Sequence, residues 1–219
     1  MEVQTKTATN TEAVLQRASR PQQLRPIPQR GRLTTSLDQA FRAEAPNRKW
    51  VTDITYLAVA DGWVYLAVVL DLFSRKVVGW SVSESLATPL VSEALRKAIE
   101  SRRPDTSQLL HHSDRGCQYT SDEYQRALKT MNINCSMSRC YDNAVMERFF
   151  WSLKHEWTNI EDFADIQEVQ QSLFEYIEAF YNSKRIHQTL GYQSPDQFEA
   201  IYKTASSLNQ NFWSPPVIG

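Results

Sequence analysis

KWVTDITYLAVADGWVYLAVVLDLFSRKVVGWSVS, residues 49–83, is rich in β-branched and aromatic side chains and is interrupted twice by turn chemistry. Lys49 to Val59 alternates well enough for a strand, Asp61-Gly62 is a hairpin signal, and WVYLAVVLDL follows as a second strand. A turn near Phe73-Ser74 leads into KVVGWSVS, a third. Such a meander has faces that other elements must cover.

The residues that follow supply the cover. Thr88-Pro89 sets a helix start with Pro at the first helical position, and LVSEALRKAIES continues with helical period. QLLHHS reads as a short strand, Ser121-Asp122-Glu123 opens a second helix, and INCSMS is a fifth strand. In DNAVMERFFWSLKHEW, Asp142 or Asn143 caps a helix whose Val145, Met146, Phe149, Phe150, Leu153 and Trp157 recur at helical spacing. The order β-β-β-α-β-α-β-α implies an α/β protein with a mixed five-stranded sheet and helices on its faces. Only helices follow: Asp165…Glu168 opens IQEVQQSLFEYIEAFYN as a capping box, and Ser194…Gln197 opens PDQFEAIY. The expected division is a basic, largely irregular arm over 1–46, a core over 47–202 and an irregular tail over 203–219.

Charge is unevenly spread. Residues 1–50 hold nine Lys/Arg against four Asp/Glu, net +5, and residues 51–219 hold fifteen against twenty-one, net -6. A basic arm on an acidic body suits a polyanionic partner, and equally a solvated tail. Cys117, Cys135 and Cys140 form no close pair and suggest no disulfide framework. The N-terminus has no apolar core for a signal peptide, and the longest apolar run, Trp63 to Leu70, is too short for a bilayer. A cytoplasmic protein with no membrane partner is expected.

Three acids stand where structural acids are rare. Asp53 lies inside the first strand, Asp114 follows the strand LLHHS at its C-terminal end, and Glu147 sits at the edge of an apolar helical stripe. Open α/β sheets bind ligands at the C-terminal ends of their strands. If the fourth strand lies beside the first, Asp53 and Asp114 are neighbours, and a helix across the sheet brings Glu147 to them. Three such carboxylates repel one another unless cations intervene, and oxygen donors of this kind suit Mg²⁺ or Mn²⁺. Taken singly, each acid also fits a structural role, capping a turn or pairing with an arginine. Asp71 ends the second strand, where an Asx-type turn accounts for it. Zinc at His111, His112, Asp114 and Cys117 is disfavoured, because adjacent histidines in a strand point to opposite faces.

Five blocks, WVTDITYL, GWVYLAVVLDLFSRKVVGWS, HHSDRGCQYTS, DNAVMERFFWSLKHE and YNSKRIHQTLGYQSP, closely resemble the catalytic core of bacterial insertion-sequence transposases of the integrase-like, DDE type. The resemblance spans about residues 46–200. It implies a ribonuclease-H-like fold with a helical C-terminal extension, and Asp53, Asp114 and Glu147 as a catalytic, metal-binding triad holding two Mg²⁺ (or Mn²⁺) ions. It further implies strand cleavage and strand transfer on mobile-element ends and target DNA, by a homo-oligomer assembled on DNA in the nucleoid. DNA contacts are expected from Lys154, Arg148, Asn143, Lys184, Arg185 and His187.

Two departures accompany it. A Lys-Gly-Asn-like stretch between Arg139 and Cys140 is missing, which shortens the Asp114–Glu147 spacing and favours weakened strand transfer. The residues ahead of the core are too few for a full set of helix-turn-helix segments, so a separate recognition protein or segment is expected. Competing readings are a remnant that binds DNA without cutting it, and a glycoside hydrolase using two of the acids, which leaves the third without a role.

Overall fold

The computed structural model describes residues 43–137 and 144–211, with side chains as far as residue 208. The main elements are β1 (Lys49–Val59), β2 (Gly62–Asp71), β3 (Val77–Ser83), α1 (Thr88–Arg102), β4 (Leu110–Ser113), α2 (Asp122–Thr130), β5 (Asn134–Met137), α3 (Ala144–Glu156), α4 (Ile166–Phe174) and α5 (Pro195–Asn211). The sheet order is β3-β2-β1-β4-β5. β1, β2 and β3 pair antiparallel, while β4 lies parallel to both β1 and β5. This is the mixed five-stranded sheet expected from the sequence.

The first hairpin closes one residue earlier than Asp61-Gly62 suggests. Val59 pairs with Gly62, leaving Ala60 and Asp61 as the turn. Gly62 begins β2 with φ 141°, a conformation only glycine adopts without strain.

Alternation along the strands sorts the core into two layers. Val51, Leu57, Val64, Leu66, Val68 and Leu70 face Met146, Phe149, Phe150 and Leu153 of α3, and Val169 and Leu173 of α4. Trp50, Ala67 and Val69 face Leu90, Val91, Ala94, Leu95 and Ala98 of α1, and Tyr124 and Leu128 of α2. Gly79 sets the closeness of α1 to the sheet, since a Cβ there would stand 2.4 Å from the Ala94 carbonyl oxygen and 2.6 Å from the Ala98 nitrogen. These are backbone atoms of a packed helix. Gly79→Ala is therefore expected to destabilise by about 3 kcal/mol, the upper range for overpacking, and to lower the melting temperature by roughly 6–12 °C. An unchanged thermal unfolding curve would show that α1 yields freely.

Both helix starts are capped, with the full reciprocal box at Ser194, while at Asp165 the Glu168 carboxylate turns back to the Ala164 N–H at 2.7 Å. Asp165 Oδ1 accepts the Gln167 and Glu168 N–H groups, and Ser194 and Gln197 exchange side-chain-to-backbone bonds. Beyond Phe174, however, the chain is π-helical over Glu175–Tyr181 rather than a continued α-helix. The wider turn lets Tyr176 and Tyr181, five apart, both reach the core, where α spacing would divide them. The irregular tail expected over 203–219 is corrected for residues 203–211, which continue α5. Thr204 and Ser207 donate to the carbonyls of Ala200 and Lys203, satisfying hydroxyls whose residue types read locally as turn formers.

A buried polar cluster ties α5 to the sheet. Arg102 donates to both oxygens of Glu199 at 2.8 Å, Ser74 donates to Glu199 at 2.6 Å, and Asp71 lies 3.7 Å from Arg102. Asp71 also accepts the Phe73 N–H, closing the expected Asx turn, and the Asn47 N–H. Asn182 completes the join by exchanging two 2.9 Å hydrogen bonds with the Val77 backbone, as a neighbouring strand would. Among the described residues no helix is long and apolar enough to cross a membrane.

Candidate active site

β4 pairs with β1 only along Lys49–Val51, opposite Leu110–His112, so β1 has a free edge beyond that point. Continuing this parallel register by two residues sets Asp53 level with Asp114. Asp53 shares the face of Val51, against which α3 packs, and Glu147 lies in the first turn of α3. Met146, Phe149 and Leu153 are at most 2% exposed, so packing holds the helix that carries Glu147. The shortened segment before Cys140 and the expected DNA contact Asn143 fall outside the described residues.

The electrostatics agree with this juxtaposition. Burial pushes the Asp53 carboxyl up to about 7; its hydrogen bond from the Ile54 N–H opposes the rise, and the charges of Asp114 and Glu147 add to it. Asp53 Oδ1 accepts Ile54 N–H at 2.8 Å and Asp114 Oδ1 accepts Gly116 N–H at 2.9 Å. Among the described residues no three His, Cys, Asp or Glu side chains close into a ligand cluster, so Asp114 and Glu147 reach Asp53 through their charges rather than by direct contact about a common point. Their donor set, all carboxylate oxygen, fits a hard divalent cation rather than zinc.

Two further residues shape this edge without having been singled out in the sequence. A Cβ on Gly116 would stand 3.0 Å from Asp114 Oδ1, so glycine lets the loop tuck beneath that carboxylate. The one local signal was a glycine two residues after an acid. Tyr56, three residues past Asp53, carries the Lys154 ammonium 4.5 Å above its ring. Burial lowers the pKa of Lys154. The contact thus brings a half-buried cation to the free edge of β1.

The other expected DNA contacts gather elsewhere. Arg148, Arg185 and His187 line one pocket on a different side of α3, and Lys184 is exposed. Arg185 is held by Glu156, with a 2.7 Å bond from Nε, and donates to Ser152 at 3.0 Å. His187 is pushed down to about 4, chiefly by burial and then by the Arg185 and Arg75 charges. The zinc alternative fails on geometry. His111 is fully buried and bonds Tyr124 at 2.8 Å, whereas His112 meets Ser136 on the other face.

Sheet order and flanking helices define the ribonuclease-H-like class. The HTLV-2 integrase catalytic core domain in complex with magnesium (trimeric form) superposes with TM-score 0.57 at 18% identity, covering 72% of this chain and 99% of that one. Models described as Integrase core domain match residues 43–143 and 132–195, together most of the chain, which therefore belongs to the integrase core domain family. Over 166 residues it is 44% identical to the transposase for insertion sequence element IS904 of Lactococcus lactis subsp. lactis (strain IL1403), covering 74% of this chain and 65% of the relative. It is 47% identical to transposase InsF for insertion sequence IS3A of Escherichia coli (strain K12), covering 74% of this chain and 57% of the relative. The chain thus spans less than two thirds of the length of either relative.

Proposed function

We propose that this chain is the catalytic core of a DDE-type transposase, a polynucleotidyl transferase that cuts DNA at mobile-element ends and joins them to target DNA. What supports the reading is that Asp114, after β4, and Glu147, in the first turn of α3, both act through their charges on Asp53 of β1, beside a free sheet edge. Asp53, Asp114 and Glu147 are assigned to hold two Mg²⁺ or Mn²⁺ ions. Such a pair supplies activation of the attacking water or 3′-hydroxyl and charge stabilisation at the leaving oxygen. The chain's own part is to orient its carboxylates on a rigid sheet and packed helix, and to offer Lys154 to a phosphate beside them. Action within a homo-oligomer on nucleoid DNA, with recognition segments or a partner protein supplying end specificity, belongs to the same proposal.

The test is strand transfer on oligonucleotides carrying the sequences that flank the gene, with Mg²⁺ or Mn²⁺. Asp53→Asn, Asp114→Asn and Glu147→Gln should each slow the reaction at least about a thousandfold, roughly 4 kcal/mol of barrier, while retaining the fold. A variant that cuts at the parent's rate is not a ligand. A parent that binds these ends yet never cuts them would be the binding remnant instead.

A further inference from the structure

On a side of α3 away from the three acids, an open pocket of about 670 Å³ is lined by Arg75, Arg148, Arg185 and His187, and among the described residues no Asp or Glu contributes to its wall. Its volume falls within the range of about 300–1,000 Å³ typical of ligand clefts. The charge runs against that of its surroundings, because residues 51–219 carry net -6. Arg75, Arg148 and Arg185 all bear on His187, and Glu156 is the carboxylate that opposes them there. Glu156 is already engaged by Arg185, whereas Arg148 is exposed and has no carboxylate partner among the described residues. His187 Nε2 is buried without a hydrogen-bond partner.

The rim is apolar and rigid. Ile186 is 59% and Tyr192 66% exposed. The loop that displays them is pinned by Tyr192 N–H on the His187 carbonyl at 2.9 Å and by the His187–Gln193 bridge. Gly191 and Tyr192 both take left-handed backbone, with φ 67° and 61°, so the tyrosine ring is carried on a tightly turned chain. Cationic side chains and an exposed aromatic ring lining one pocket offer the two kinds of contact a nucleotide unit takes, charge for its phosphate and a π-face for its base.

We infer that this pocket receives a nucleotide of the DNA strand being processed, its phosphate on Arg148 and its base against Tyr192. The inference rests on the DNA-processing reading above and extends it to a second contact region. Arg148 directly follows Glu147 on α3, so a strand whose reacting phosphate lies at Glu147 has neighbouring phosphates within reach of Arg148. Arg185, paired with Glu156, serves as the wall that positions the loop.

The experiment measures binding of a fluorescein-labelled single-stranded oligonucleotide and of its duplex across a salt series, in EDTA so that metal plays no part. Arg148→Ala is expected to weaken single-strand binding severalfold and to reduce the salt slope by about 0.7, one phosphate contact. Tyr192→Asn, whose new side chain tolerates the left-handed backbone, is expected to weaken single-strand binding about fivefold or more with the slope unchanged. Parent affinity and slope in Arg148→Ala would overturn the pocket assignment while leaving the cleavage reading intact. A parent that binds no DNA would overturn both. Titration with inorganic pyrophosphate separates a free phosphate ligand from a strand. Pyrophosphate binding that Arg148→Ala abolishes, with oligonucleotide binding untouched, would reassign the pocket to a small anion.

Discussion

In metal-free protein, Asp53→Asn is expected to raise the melting temperature at pH 8 and to leave it nearly unchanged at pH 4. The Asp53 carboxyl titrates near 7 in the folded chain against an ordinary value of 3.8. Between those values the folded state holds a proton that the unfolded state has released, so stability falls as pH rises through the window. Below it, acid and amide are both neutral and the variant has nothing to gain. Above it, the parent carries a charge held unfavourably by burial and by Asp114 and Glu147, which the amide removes. Three pKa units set a ceiling of about 4 kcal/mol, and 2–4 kcal/mol corresponds to roughly 4–16 °C. Asparagine can still accept the Ile54 N–H, so that bond is not lost. Differential scanning fluorimetry in EDTA at pH 4, 6 and 8 reads the effect; a difference independent of pH would mean that Asp53 is not under this strain. Millimolar Mg²⁺ added at pH 8 should then stabilise the parent and not the variant.

The second large effect concerns the join between α5 and the sheet. Glu199 is 3% exposed and Asp71 fully buried, and both depend on Arg102. Burial pushes the Glu199 carboxyl up, but hydrogen bonds from Arg102 and Ser74 more than offset it and leave it below its usual range. Arg102→Met keeps much of the side-chain volume and removes the cation from two buried carboxylates, leaving Glu199 its Ser74 bond and Asp71 its backbone N–H bonds, a change that typically costs about 3–5 kcal/mol. The melting temperature should fall by roughly 6–20 °C at pH 7. With Arg102 gone, burial raises the Glu199 carboxyl, so the deficit should shrink as the pH falls toward 5 and the group takes a proton. Adding Glu199→Gln should recover part of the loss at neutral pH. A loss below about 1 kcal/mol, or one flat with pH, would show that the cluster contributes little to the docking of α5.

Much of this architecture was legible because it is written in local chemistry. Period-two alternation from Lys49 to Val59, the turn after it and the helical spacing of Met146, Phe149, Phe150 and Leu153 each depend on residues near one another in the chain. The capping boxes at Asp165 and Ser194 were readable for the same reason. So was the oddity of three acids in mid-strand, at a strand end and on a helix boundary. The π-helical run over Glu175–Tyr181 was not, because Tyr176 and Tyr181 satisfy the core together only if the helix widens, and the core lies outside that segment.

The sequence by itself determined the order of strands and helices and the positions of the acids along them, since side-chain periodicity and turn chemistry act over a few residues. Tertiary structure decided which faces meet. β4 leaves β1 after Val51, which opens an edge at Asp53, whose carboxyl feels the charges of Asp114 and Glu147. Lys154 reaches Tyr56 across nearly a hundred residues of chain, and Arg102 finds Glu199 at a similar separation. The basic pocket gathers side chains from the β2–β3 turn, α3 and the loop after the π-helix, segments with no common local signal. Expected as a single class of DNA contact, Lys154 and Arg148 part to different sides of α3 because residues six apart on a helix point in different directions, and only packing fixes which direction faces the sheet edge.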